Sequence, residues 1–369
     1  LNKFLANKNK GYDSFVSGMI ALANKDYKKA ISETKKISYY LDDNKSLSLL
    51  LKSEIYKVEK KFDDLNLVYQ EMMKNKNTEN LAYKGMMEQY INAQDYHHAF
   101  LYGEKLFNNN PYIEKIYDAL VNIISKTNNW QQLLFITDKA YTKKIIDKKV
   151  FQENKSIGYF EIAKIKRHSE IEDSLECIEK SLKLRKNFPP YVKLYLDLLI
   201  ENKEYNHAKK YLKKTWNIKP HPEYKSIISD LAKNLNISEL ELVKFITGNK
   251  PENEDSIILL VESYISQKKW DLARSQIMSL LDVNPKKKIC LLMAKIEEGD
   301  SGDIQKTNSW ILRSRNGKEN NIWVCMISKK SQLEWSSIST GGYFNSLEWK
   351  QPFVISDMQN TNINIAYEN

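Results

Sequence analysis

Apolar residues recur along the chain at helical spacing, and a short polar break interrupts them at regular intervals. After each break comes an aromatic, and a small or apolar residue stands three positions further on. The combination occurs at Lys25-Asp26-Tyr27 with Ala30, Lys61-Phe62 with Leu65, Gln94-Asp95-Tyr96 with Ala99, and Asn129-Trp130 with Leu133. Successive small residues are therefore 35, 34 and 34 apart. The break returns at Lys203-Glu204-Tyr205 with Ala208 and at Lys269-Trp270 with Ala273, leaving room for one more unit near Leu240. A less regular unit falls around Ser174, with an insertion near 143–156. A period of about 34 with two amphipathic helices per unit is the tetratricopeptide pattern.

The residue logic within a unit agrees. Tyr83, Met86, Met87 and Tyr90 lay one apolar stripe along a first helix. Ala99 is small where the two helices of a hairpin cross. Pro111, Pro220 and Pro285 each stand twelve residues after the small residue, where the second helix should stop. One hairpin cannot bury its own apolar face, so neighbours must stack into a continuous core. The expected fold is all-α: a right-handed superhelical solenoid of eight to nine tetratricopeptide-like hairpins over 11–315, with a groove lined by first helices. Tyr83, Tyr90, Tyr117, Tyr195 and Tyr264 occupy core registers of that pattern. The period stops near Arg315, and Asn316-Gly317 ends the last helix. Trp323, Trp335 and Trp349 with the Gly341-Gly342 turn predict short extended segments around an aromatic cluster over 316–351, followed by a tail over 352–369.

Composition narrows the chemistry. In 369 residues there are only 11 glycines and 8 prolines, too few for a turn-rich β fold. The net charge of +10 comes from 57 basic against 47 acidic residues, of which only Arg167, Arg185, Arg274, Arg313 and Arg315 are arginine. Nucleic-acid recognition favours arginine and a basic stripe, whereas these lysines are spread among acids, so no nucleic-acid partner is expected. Cys177, Cys290 and Cys325 are far apart, and no disulfide framework or metal-ligand spacing is visible. Phosphate-binding loops, metalloprotease helices and nucleophile elbows are absent, so no enzyme activity, cofactor or metal is expected. Binding by the groove remains. The register points Lys84, Glu88, Asn92, Asp118, Asn122, Lys193 and Asp197 into it, polar and of mixed sign.

The segments Gly11-Tyr12, Gly18 to Ala23 with Asp26, Trp216 with Pro220-His221-Pro222, Trp270 with Ala273-Arg274, and Cys290 through Glu298 with Gly302-Asp303 resemble the repeat domain of HemY-type proteins. The resemblance covers most of 11–325. It implies a bacterial inner-membrane protein with two transmembrane helices before the repeats, associated with haem and porphyrin biosynthesis. Since residue 1 is Leu, such an anchor is expected ahead of this chain. Lys3, Lys8 and Lys10 would then form a juxtamembrane stretch over 1–10 on the cytoplasmic side. The implied role is a non-enzymatic scaffold whose partners are proteins, among them late haem-biosynthesis enzymes. Alternatives are an adaptor for other membrane-associated enzymes or proteases, as in lipopolysaccharide control, or direct haem or porphyrin binding. Some relatives end in a four-cysteine ribbon. Here Trp323, Cys325, Trp335, Phe344 and Trp349 match it, but Ser328, Ser339 and Gly342 replace three of the cysteines. One thiolate cannot hold structural zinc, so a metal-free remnant docking on the last repeat is expected.

Overall fold

The computed structural model describes residues 2–41, 45–248, 251–282 and 285–353. From residue 354 on, the expected tail lies outside them, as do Leu1 and the side chain of Lys3. Eighteen α-helices, nine consecutive pairs in chain order, precede a small sheet among the described residues. None of these helices is long and apolar enough to cross a membrane. The chain divides into two compact units, Leu1–Asn129 with Lys139–Ile145 and Trp130–Asp138 with Ile146–Asn369.

The first unit holds α1 (Asn2–Ala23), α2 (Tyr27–Tyr40), α3 (Ser46–Val58), α4 (Phe62–Met72), α5 (Glu79–Asn92), α6 (Tyr96–Asn109) and α7 (Ile116–Thr127), with the end of α8 (Trp130–Thr142). Its core is continuous from hairpin to hairpin. Ala21, Ala30, Ile37, Leu51 and Ile55 join α1, α2 and α3. Leu65, Tyr69, Met72, Ala82 and Met86 join α4 to α5. The crossing residues Ala30 and Ala99 are fully buried, as are Ala208 and Ala273 in the second unit.

The second unit holds the start of α8, then α9 (Lys148–Lys166), α10 (Ile171–Leu184), α11 (Pro189–Glu201), α12 (Tyr205–Ile218), a 3-10 turn at Pro222–Tyr224, α13 (Lys225–Leu235), α14 (Glu239–Thr247), α15 (Glu254–Ser266), α16 (Trp270–Ile277), a 3-10 turn at Met278–Leu280, α17 (Lys287–Asp300) and α18 (Ile304–Arg315). The expected insertion near 143–156 is taken up by α9, which runs 19 residues and starts where the Asp147 carboxylate accepts the Val150 amide at 2.8 Å. Pro111 and Pro220 stand just past the ends of α6 and α12, as their missing N–H requires.

Each polar break has a defined backbone. Lys25, Lys60, Gln94, Lys203 and Lys268 adopt left-handed φ between 54° and 61°. The next residue then donates its N–H five residues back, Asp26 to Ala21 at 2.8 Å and Lys61 to Tyr56 at 2.9 Å, with the same bond at Asp95, Glu204 and Lys269. This satisfies carbonyls orphaned at the helix end and turns the chain into the second helix.

Two tyrosines depart from the expected core. Tyr117, Tyr195 and Tyr264 are buried, but Tyr83 and Tyr90 are only half-buried. They join a surface ladder instead: the Tyr90 ring stacks on Tyr102 at 5.7 Å and on His98 at 5.1 Å. Met86 and Met87, between them in sequence, fill the interior.

After α18, strands β1 (Ile322–Cys325), β2 (Ser331–Gln332) and β3 (Leu347–Lys350) form an antiparallel sheet in the order β2-β1-β3. Trp323 and Trp349 are cross-strand partners with ring centroids 5.3 Å apart.

Candidate functional site

Lys84, Glu88 and Asn92 share one face of α5 at four-residue spacing, and Asp118 and Asn122 do the same on α7. Lys84, Asn92, Asp118 and Asn122 are exposed. Glu88 is half-buried and lies 4.0 Å from the Lys57 ammonium of α3. In the second unit Lys193 and Asp197 sit on α11, both half-buried. Burial pushes the Asp197 carboxyl up to about 6 despite the Arg167 and Lys193 charges nearby. Arg167 is itself committed to Glu201, donating through Nε at 2.9 Å. The Lys193 ammonium faces the C-terminal segment, 3.7 Å from Glu334.

That last contact belongs to a docking interface that sequence reasoning placed elsewhere. Only the first residues after α18 stay with the last hairpin: the Lys287 amide donates to the Lys318 carbonyl at 2.9 Å, and the Lys288 amide to Asn320 Oδ1 at 3.1 Å. The sheet and its cluster instead fold back onto α9, α11 and the turn at 222–224. Trp335 packs edge-on against Phe160, Phe188 and Tyr191, with centroids 5.3, 5.2 and 5.8 Å away. Phe344 reaches Trp130 at 6.5 Å. Three carboxylates take hydrogen bonds from the segment. Ser337 Oγ donates to Glu161 at 2.7 Å, Asn345 Nδ2 to Glu153 at 3.2 Å, and the Trp323 indole N–H to Glu223. Burial raises the Glu223 carboxyl, while that indole bond pulls the other way. The last helix is left uncovered: α18 buries only Ser314.

A signal for this docking was present in the sequence. A one-faced helix should show one apolar stripe, whereas α11 buries nine residues, Pro189 through Leu199 apart from Lys193 and Asp197. A helix apolar nearly all round must be covered on both sides.

Cys325, Ser328, Ser339 and Gly342, the four positions of the ribbon pattern, come together. The Ser328 amide donates to the Cys325 sulfur at 3.4 Å, and the Gly342 amide to the Ser339 carbonyl at 2.8 Å. Burial pushes the Cys325 thiol up, but the polar side chains of Ser328, Ser346 and Ser339 around the sulfur, with the Ser328 amide that donates to it, outweigh burial and bring it down to about 6. Among the described residues no three His, Cys, Asp or Glu side chains converge to hold a metal ion.

His221 is sealed beneath the sheet, its ring 4.4 Å from Trp349 and 5.9 Å from Trp323. Nδ1 accepts the Glu223 amide at 3.3 Å, and Nε2 is buried without a partner among the described residues. Burial, then the Lys219 charge, push the imidazole down to about 4, so it is neutral.

The hairpins and the small sheet together define an all-α array of tetratricopeptide-like repeats with a folded-back C-terminal cap on its second unit. No family model matches the chain, and no curated protein matches it in sequence. Solved structures do. The Naa15/Naa10 complex bound to HypK-THB is 14% identical over 85% of this chain and 54% of its own, with a TM-score of 0.42. The chain thus spans about half the length of that protein. The TPR2AB domain of yeast Sti1 in complex with an HSP90 peptide is 10% identical over 84% of this chain and 99% of its own, at a TM-score of 0.34. A tetratricopeptide repeat protein from Parabacteroides merdae is 14% identical over 67% and 99%, at 0.30.

Proposed function

We propose that the chain is a non-enzymatic protein–protein interaction scaffold. The observation that carries this reading is the succession of exposed polar side chains on neighbouring first helices: Lys84 and Asn92 on α5, Asp118 and Asn122 on α7. They satisfy no requirement of the core, and they present both signs of charge at helical spacing, which suits a polar partner surface. The partner class follows from the HemY-type resemblance: enzymes late in haem biosynthesis, met at the cytoplasmic face of a bacterial inner membrane.

Affinity purification of the tagged protein from membranes of its host tests both parts. Recovery of haem-pathway enzymes, lost when Lys84→Glu and Asp118→Lys are introduced together, supports the reading. An eluate without those enzymes removes the haem assignment. Enzymes retained by the double variant remove the α5–α7 face as the interface.

A further inference from the structure

Where the C-terminal sheet meets the second unit, a cavity of about 370 Å³ remains between β3 and the ends of α10 and α12. Its size lies within the usual span for small-molecule sites, roughly 300–1,000 Å³. Arg185, Lys186 and Lys219 supply three cations to its lining, against the single carboxylate of Glu348. Among the described residues none of the three cations has a carboxylate within 4.0 Å. The Arg185 guanidinium carbon lies over the Phe188 ring, 3.6 Å from its centroid, and its Nη1 is buried with no acceptor among the described residues. Burial and the Arg185 charge together push the Lys219 ammonium down. Lys186 and Lys219 are exposed and Arg185 is half-buried, and like charges gathered at one wall repel one another until an anion sits between them. The rest of the lining is apolar, Phe188, Trp323, Leu347 and the half-buried Trp349 of β3.

We propose that this cavity binds a small planar anion, an aromatic or heteroaromatic ring bearing a carboxylate or a phosphate. The ring lies against Trp349, and the anionic group takes the Arg185 guanidinium and the ammonium groups of Lys186 and Lys219. Such bonds are charge-assisted, and the guanidinium fork suits either oxyanion. The site is separate from the α5–α7 face, so it stands or falls independently of the scaffold reading.

Isothermal titration of the whole chain with two probes, quinoline-2-carboxylate and adenosine 5′-monophosphate, distinguishes the carboxylate from the phosphate form. Adenosine and inorganic phosphate are the controls for ring and charge alone. One-to-one binding of at least one probe is expected, with neither control matching it. Lys186→Glu, at an exposed position, should weaken that binding about tenfold, as the loss and reversal of one charge contact. Trp349→Leu should weaken the ring-bearing probe and leave inorganic phosphate unchanged. No saturation by either probe up to ~1 mM, or equal binding by wild type and Lys186→Glu, overturns the proposal.

Discussion

At the scale of single residues, the hairpin turns carry strain that the sequence pattern did not announce. A lysine or glutamine occupies the left-handed position in five of them, where glycine would cost nothing. The break was legible as a run of polar residues, but polarity says nothing about the sign of φ. Lys60 has φ 57° and is exposed, so Lys60→Gly should stabilise the first unit by about 0.5–1 kcal/mol, measured as a raised urea midpoint. His221 makes the second residue-scale prediction. Its folded-state value of about 4 lies below the ordinary 6.5, so the folded state binds fewer protons than the unfolded state between them. The contribution is therefore fully present above pH 6.5 and is lost as the pH falls towards 4. Relative to His221→Phe, the wild type should lose about 3 kcal/mol across that window. Parallel stability curves for the two proteins would contradict the buried, neutral imidazole.

At the scale of elements, the repeats were readable because their determinants are local: a 34-residue period, small crossing residues, and prolines past the second helix. The aromatic strands were readable too, from alternation and turn residues. Their destination was not. Ser337 and Glu161 are 176 residues apart in sequence, and Asn345 and Glu153 are 192 apart. No periodicity links such positions, and only the all-round apolar character of α11 hinted that something covers it. Two substitutions test the docking. Trp335 is 8% exposed among three aromatic rings, and Trp335→Ala should cost about 3–5 kcal/mol of second-unit stability. Gly317 begins the return path, where a Cβ would sit 2.9 Å from the Pro285 carbonyl oxygen and 3.0 Å from the Lys287 nitrogen. Because the obstruction is backbone, Gly317→Ala should cost about 1–3 kcal/mol. Hydrogen exchange would then locate the loss, with α9 and α11 opening for Trp335→Ala and α17 for Gly317→Ala.

At the scale of the whole molecule, a stack of repeats touches only near neighbours, and its stability is close to a sum of local terms. The folded-back segment breaks that rule in the second unit by tying residues past 316 to α9, α11 and the turn at 222–224. It also changes the meaning of two candidate groove residues. Lys193 meets Glu334 of the chain's own C-terminal segment, and Asp197 meets Arg167, while the polar face of α5 and α7 in the first unit stays open to solvent. The Lys193–Glu334 pair is too exposed to add much stability, but it reports the docked state without any substitution. Zero-length carbodiimide coupling of the native protein, read by peptide mass spectrometry, should join Lys193 to Glu334. Coupling of Glu334 only to lysines of the last hairpin, Lys287, Lys288 or Lys306, would contradict the fold-back.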